Sequence, residues 1–307
     1  MTMVDKTANI GQTRPENTKV AMARILHLAW MHRRYAMLLA LSSLAACRHG
    51  RLLSYEEYAH IEHDTPYVLR FVHGHGVLLF FGSAHTYDPS DPQVRRISEL
   101  WADFRPTLAY NEGGDPPAEL AIEAAVSRFG ESGLVRHLAR RDRVPVASIE
   151  PPMARQVEDL REAGFSDEQI KLFFVLRQVP QHLEQAGSPM TDARVTEVLA
   201  YFTKATGLTG SPTTPAELPA ACCRLLPPLR HWREVPQAWF DPAVEQPPAF
   251  TSTASLRLSV LRDAWVVNLL DEVVGRGERV FAVMGASHVV VQEPALRARL
   301  GRPLRLR

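Results

Sequence analysis

Two histidines follow glycines at a spacing that suits a site at the ends of buried strands. Gly-Ser-Ala-His at residues 82–85 comes after an apolar run, and Gly-Ala-Ser-His at residues 285–288 comes after another. Glycine lets the chain turn sharply, and small neighbours let its backbone approach a ligand or a second loop. The sequence therefore predicts that Gly82 and Gly285 shape a ligand-binding or cofactor-binding crevice into which His85 and His288 point.

Two carboxylates stand at similar positions. Glu112 follows Leu-Ala-Tyr-Asn, and Glu150 follows Val-Ala-Ser-Ile. The carboxyl ends of parallel strands lie along one edge of a sheet, where α/β proteins bind their ligands. We therefore expect both carboxylates and both histidines in the same crevice.

The elements that must position these side chains alternate between apolar runs and amphipathic segments. Such alternation predicts an α/β fold with a mixed, largely parallel central sheet flanked by helices, and a helical insertion at about residues 152–250. Two Pro-rich stretches, 207–228 and 236–248, are consistent with a lid or with plain surface. The predicted elements are a hairpin at 67–81, strands at 107–111, 144–149 and 279–284, and helices at 92–104, 118–142, 166–180 and around 195–202, a long one ending at 275, and one from about 294.

The N-terminus has the composition of a bacterial export signal. Met-His-Arg-Arg begins at Met31, an apolar stretch covers residues 35–44, and Leu-Ala-Ala-Cys ends at Cys47. The apolar run is too short to span a bilayer, which takes roughly 20 residues. Its basic flank and small residues are typical of a signal peptide. The Leu-Ala-Ala-Cys pattern matches the lipobox, in which the cysteine is acylated after cleavage.

This reading gives the chain an N-terminal extension and signal peptide at residues 1–46 and a single domain at residues 47–307. It places the protein in the cell envelope, with lipidated Cys47 as its contact with the membrane and the domain on the periplasmic side. Arg48 favours the outer membrane, since aspartate after the cysteine favours inner-membrane retention in many enteric bacteria. The polar segment before the signal leaves Met22 and Met31 as alternative translation starts.

Composition and charge exclude other classes of protein. A hydrophobic content of 46% and a charged content of 22% are typical of a globular chain. A net charge of +1 and the lack of a basic run argue against nucleic acid as a partner. The adjacent Cys222 and Cys223 are interpreted as packed residues rather than a redox centre, because bridging neighbours requires a strained geometry.

The motif set resembles the TraB/TIKI family, in the wider superfamily of erythromycin esterases and ChaN-like lipoproteins. The resemblance spans roughly residues 77–300. It rests on Gly82 with His85, Glu112 in Tyr-Asn-Glu-Gly-Gly, Arg262 in Arg-Asp-Ala-Trp, and the second motif, residues 285–288. It implies an α/β fold whose active site is built from these loops. It also implies a metal-dependent peptidase activity, as in the studied animal members, whereas the erythromycin esterases work without metal.

Two imidazoles and a carboxylate suit a divalent metal that activates water. His85, Glu112 and His288 are therefore candidate metal ligands or acid–base groups, and zinc, manganese, cobalt and iron all accept such ligands. Arg262 is a candidate for stabilising an oxyanion or gripping a substrate anion, with an ion pair to Asp263 or Glu112 as the alternative. Glu150 is a candidate second ligand or general base, or a carboxylate at a helix start.

The leading hypothesis is thus a membrane-anchored hydrolase acting on an unknown peptide or small-molecule ester. The alternatives are a ChaN-like lipoprotein that binds haem or another ligand without catalysis, and an inert protein that retains the fold. Other histidines, at positions 60, 63, 73 and 75, are interpreted as surface residues, because first helices and hairpin tips are usually exposed.

Overall fold

The computed structural model describes residues 50–119, 121–242 and 249–306. They belong to one compact unit, Gly50–Arg307. The predicted signal peptide at residues 1–46 and the predicted acylation site Cys47 lie outside the described residues.

Six strands form one sheet. In chain order they are β1 (Tyr67–His73), β2 (Gly76–Ser83), β3 (Leu108–Asn111), β4 (Val146–Ser148), β5 (Arg279–Gly285) and β6 (Leu304–Leu306). Their order across the sheet is β4-β3-β5-β2-β1-β6. The neighbours β2, β5, β3 and β4 are parallel to one another, whereas β1 is antiparallel to both β2 and β6. The predicted hairpin and the predicted mixed, largely parallel sheet are confirmed.

Helices flank the sheet and fill the middle of the chain. They are α1 (Tyr55–Tyr58), α2 (Pro92–Phe104), α3 (Ile122–Asp142), α4 (Met153–Glu162), α5 (Asp167–Ala186), α6 (Asp192–Thr206), α7 (Leu218–Leu225), α8 (Phe250–Gly275) and α9 (Ala286–Leu300). The Pro-rich stretches hold α7 and short 3-10 turns at Pro215–Glu217 and Gln237–Phe240, and a further 3-10 turn, Trp232–Glu234, lies between them. Capping boxes at Ser54 and Ser166 begin α1 and α5, as their sequence pattern predicts.

Two apolar clusters hold these layers together. In one, α2 and α3 cover the face of the sheet that carries Leu79, Phe81 and Phe281. The other lies among the helices α4 to α8 and includes Phe173 and Trp232. The inserted helices therefore have a core of their own. Helix α8 contributes Leu258 to that core and continues against β2 and β5, so it connects the insertion to the sheet.

Some predicted boundaries are wrong. The helix predicted to run to Pro180 continues to Ala186 and carries that proline in its interior. The last helix begins at Ala286 rather than near residue 294. Its first turns are buried on several sides and lack the periodicity of an amphipathic helix. Helix α4 and the three-residue β6 were not predicted.

The helices were also compared with the length and hydropathy of a membrane span. Within the described ranges, none is both long enough and apolar enough to cross a bilayer.

Candidate functional site

The strand register brings the predicted side chains to one edge of the sheet. Ser83 lies opposite Gly285 in the pairing of β2 with β5, and Asn111 lies opposite Val283 and Ser148 in the next two pairings. The segments that follow these strands therefore leave the sheet side by side. They carry His85, His288, Glu112 and Glu150 at the carboxyl ends of the parallel strands.

Arg262 joins three of these four side chains. Its NH1 lies 3.0 Å from Glu112 Oε1 and 3.0 Å from His288 Nε2, and its Nε lies 2.9 Å from Glu150 Oε2. The side chain is only 11% exposed. Burial opposes its charge, but the carboxylates of Glu150 and Glu112 outweigh that effect and raise the pKa of Arg262. Of the two ion pairs weighed from sequence, the structure contains the one with Glu112.

Glu112 is held as an anion by both ends of its carboxylate. While Oε1 accepts from Arg262, Oε2 accepts from the backbone N–H of Gly285 at 2.6 Å, at the start of α9. Burial alone would raise the pKa of Glu112, but the neighbouring groups, with the charge of Arg262 as the largest cause, lower it to about 2. The next two residues, Gly113 and Gly114, have φ of 82° and 86°, a left-handed turn that glycine adopts without strain.

Two polar side chains hold the backbone of Glu112 in place through hydrogen bonds to its carbonyl oxygen. The amide of Asn111, which is completely buried, donates to the carbonyl of Glu112 at 2.9 Å. The hydroxyl of Ser132 in α3 donates to the same carbonyl at 2.5 Å. The carboxylate therefore has little freedom to follow a ligand.

His288 belongs to a buried network on its other side. Its Nδ1 lies 2.8 Å from Asp263 Oδ1, and the hydroxyl of Tyr55 donates to Asp263 Oδ2 at 2.8 Å. The amide of Gln292 also donates to Asp263 Oδ1, at 2.7 Å. Burial, followed by the charge of Asp263, raises the pKa of Tyr55. These bonds assign the proton of the imidazole to Nδ1, so that Nε2 accepts from Arg262.

His85 is placed differently, in the loop after β2. Its side chain is 62% exposed, and its Nδ1 lies 3.6 Å from Oε2 of Glu131, whose side chain is 8% exposed. The other oxygen of Glu131 accepts from the backbone N–H of Thr86 at 2.7 Å, which ties the carboxylate to the loop. The carboxylate of Glu131 is the largest cause that raises the pKa of His85, to about 9, and the charges of Glu112 and Glu184 add to it.

The two motif glycines are required for different reasons. A Cβ on Gly82 would lie 2.9 Å from both the Cα of Ala286 and the carbonyl oxygen of Tyr67, so this glycine lets two backbones pack. A Cβ on Gly285 would instead lie 3.2 Å from His85 Nε2 and 3.5 Å from Glu112 Oε2. Gly285 therefore borders the open space between these two side chains.

Four residues at the site were not predicted from sequence. Asp263 was named only as a possible partner for Arg262. Tyr55, Glu131 and Arg177 were not named as candidates for the site. Arg177, on α5, is half-buried, and the electrostatic effects on its pKa come from Arg262, Glu150, Glu112 and Tyr55. Proximity to the site, rather than spacing along the chain, is what identifies it.

The histidines interpreted as surface residues lie elsewhere. His60, His73 and His75 are exposed, and Nε2 of the half-buried His63 lies 3.0 Å from the hydroxyl of Tyr58. Both neighbouring cysteines are free, with one buried and one exposed.

The donor atoms were tested as a metal site. Within the described ranges, the structure contains no group of three or more His, Cys, Asp or Glu side chains arranged to hold a metal ion. Arg262 NH1 lies within hydrogen-bonding distance of the two atoms, Glu112 Oε1 and His288 Nε2, that would face the ion. A metal shared by His85, Glu112 and His288 would need this guanidinium to move.

Searches of the chain against protein-family models, curated proteins and solved structures found no match.

Proposed function

We propose that the protein is a lipid-anchored hydrolase of the cell envelope in which His85 is the acid–base group. The observation that carries this proposal is the pairing of His85 with Glu131. A carboxylate that is almost fully buried faces Nδ1 of an imidazole that is 62% exposed. An imidazole oriented by a carboxylate, with its other nitrogen open to the site, suits proton transfer to and from a reacting group.

The proposed reaction is attack of water on an ester or peptide carbonyl. Neutral His85 accepts a proton from water at Nε2 while the oxygen of water bonds to the carbonyl carbon. When the bond to the leaving group breaks, the imidazolium returns the proton to that group. The fixed charge of Arg262, held by Glu112 and Glu150, stabilises the negative charge that develops on the carbonyl oxygen.

No step of this mechanism passes through a metal, because the donor atoms as arranged do not fit one. The erythromycin esterases in the superfamily that the motifs resemble offer a parallel, since they work without metal. In this proposal Glu112 and Glu150 are positioning residues, since both are bound to Arg262.

The first test is a screen of ester and peptide substrates with the full-length protein, followed by His85→Asn. We expect the variant to lose about 10²- to 10⁴-fold in kcat/KM, the usual contribution of a general acid–base group. His75→Asn is the matched control, because His75 is exposed in the hairpin between β1 and β2. Full activity of His85→Asn would refute the mechanism. A Soret shift on adding haem, with no hydrolysis in the screen, would favour the ChaN-like alternative.

The anchor is tested separately. Cys47→Ser removes the thiol that the lipobox pattern marks for acylation. We expect the wild type to sediment with membranes and the variant to lose both the attached lipid and most of the sedimenting fraction. Unchanged mass and unchanged fractionation would overturn the lipoprotein proposal without affecting the proposed chemistry.

A further inference from the structure

Helix α5 carries a cation that the site as described does not use. Arg177 is half-buried, and within the described part of the chain it makes no hydrogen bond and no ion pair. The nearby carboxylates of Glu112 and Glu150 are both bound to Arg262 instead. A buried charge without a partner is costly, and a ligand of opposite charge relieves that cost.

The charges around Arg177 act in both directions, since Arg262 lowers its pKa and the carboxylates of Glu150 and Glu112 raise it. Burial, and after it the positive charge of Arg262, lowers the pKa of Arg177 to about 10. The guanidinium therefore keeps its charge at neutral pH. A guanidinium that keeps its charge and has no hydrogen-bond partner among the described residues suits an anion.

The same face of α5 leads outward from the site. Pro180 and Glu184 follow Arg177 at helical spacing and line a groove of about 550 Å³ together with Leu183, Val235 and Pro236. Glu184 contributes to the raised pKa of His85. The amide of Gln185, one residue further, donates to the carbonyl of Arg128 in α3 at 2.8 Å. Helix α5 thus passes beside the loop that carries His85 and borders the approach to it.

We propose that Arg177 binds an oxyanion group of the substrate, a carboxylate or a phosphate, so that the site acts on anionic substrates. That the bound anion is a substrate rests on the proposed function. That Arg177 binds an anion does not. The planar guanidinium can form paired hydrogen bonds with either group, which a lysine cannot reproduce.

The experiment measures binding and activity separately on the full-length protein. Calorimetric titrations with succinate and with inorganic phosphate compare the wild type with Arg177→Gln and Arg177→Lys. We expect one of the anions to bind the wild type and to lose about 10- to 100-fold in affinity in Arg177→Gln, as for a charged hydrogen-bonded contact. Arg177→Lys should fall between the two. The anion that binds identifies the carboxylate or the phosphate source.

Arg194→Gln is the matched control, since Arg194 lies exposed on α6 in an ion pair with Glu197. Its anion affinity should equal that of the wild type. We expect Arg177→Gln to unfold at the same urea concentration as the wild type or at a higher one. A large loss of stability would indicate a structural role and would overturn the proposal. Equal anion affinity in the wild type and Arg177→Gln would overturn it as well.

Hydrolysis provides the second measurement. With 4-nitrophenyl acetate and its anionic analogue mono-4-nitrophenyl succinate, we expect Arg177→Gln to raise KM for the anionic ester about 10-fold and to leave the neutral ester unaffected. Anion binding without hydrolysis of either ester would reject the proposed hydrolase and keep the anion site. Hydrolysis of both esters with KM values that Arg177→Gln leaves unchanged would keep the proposed hydrolase and reject the anion site.

Discussion

His85 and His288 end the same four-residue pattern, yet the structure gives them opposite environments. His288 lies in the first turn of α9 with 11% of its side chain exposed, and Asp263 and Arg262 hold its two ring nitrogens. His85 lies in a loop with 62% of its side chain exposed, and a carboxylate faces only one of its nitrogens. One imidazole is part of the framework of the site, whereas the other is open to a ligand.

The residues that follow each motif explain this difference. After His288 come Val289, Val290 and Val291, whose burial holds α9 against the sheet. After His85 the chain continues through a polar loop to α2, and the kink of α3 at Gly130 makes room for that loop. A Cβ on Gly130 would lie 2.9 Å from the carbonyl oxygen of Thr86. A shared local pattern therefore places two histidines at the same edge of the sheet, but the tertiary packing decides which one is exposed.

The largest expected effect is the loss of stability caused by Asp263→Ala, which disrupts the buried network around His288. Asp263 is completely buried and accepts bonds from Tyr55, His288 and Gln292. Its removal takes a buried acceptor away from all three groups, and we expect the free energy of unfolding to fall by about 3–5 kcal/mol. Urea denaturation measures this change.

Asp271→Ala is the control on the same helix, because its ion pair with Arg299 is partly exposed. The control should change the free energy of unfolding by less than about 1 kcal/mol. If both substitutions lowered the free energy of unfolding by the same small amount, the network around His288 would not stabilise the fold.

A smaller effect is expected from adding one methyl group to each motif. Gly82→Ala forces a Cβ against two backbones at 2.9 Å, and we expect a loss of about 1–3 kcal/mol in the free energy of unfolding. Gly285→Ala meets the end of the movable His85 side chain at 3.2 Å, and displacement of that side chain should lower kcat/KM about 10-fold with little loss of stability. The opposite pattern, an inactive but stable Gly82→Ala, would contradict the division of roles.

Much of the site could be predicted because its parts follow strands. The apolar runs before His85, Glu112, Glu150 and His288 predict parallel strands, and parallel strands bring their carboxyl ends to one edge. Arg262 was identified from the motif resemblance, but its position between Glu112 and His288 depends on how α8 packs. Sequence gives no rule for that packing.

The partners of the two histidines were harder to predict for the same reason. Glu131 lies 46 residues after His85 in a helix whose kink turns it toward the loop, and Tyr55 reaches Asp263 across 208 residues. Arg177 belongs to an inserted helix whose approach to the sheet is set by a separate apolar core. No periodicity or spacing in the chain encodes these contacts.

The raised pKa of the exposed His85 predicts that kcat/KM depends on pH. His85 acts as a base only when it is neutral, so kcat/KM of the wild type should rise with pH through about 9. Glu131→Gln removes the largest cause of the raised pKa, and the midpoint should move down toward 6.5. A pH profile of kcat/KM measures this shift, and a midpoint that does not move would exclude Glu131 as the partner of His85.

The same pair contributes to stability with a definite sign. The pKa of His85 is raised in the folded protein, so this contribution is complete below about 6.5 and is lost as pH rises through about 9. Because His85 is largely exposed, solvent screens the pair and the contribution is small. Glu131→Gln should therefore alter the pH profile of activity far more than that of unfolding.

The smallest effect is expected from a chelator. Since Arg262 NH1 lies 3.0 Å from both Glu112 Oε1 and His288 Nε2, EDTA should leave kcat/KM unchanged, and elemental mass spectrometry should find less than one metal ion per chain. Arg262→Ala sharpens the test, because it frees these two atoms, which lie 3.9 Å apart, to bind zinc or manganese. Inactivation of the wild type by EDTA, with metal lost in both His85→Ala and His288→Ala, would mean that the Arg262 side chain moves away and a metal ion binds between these groups. The two histidines would then share one task, and their different environments would describe only the metal-free state.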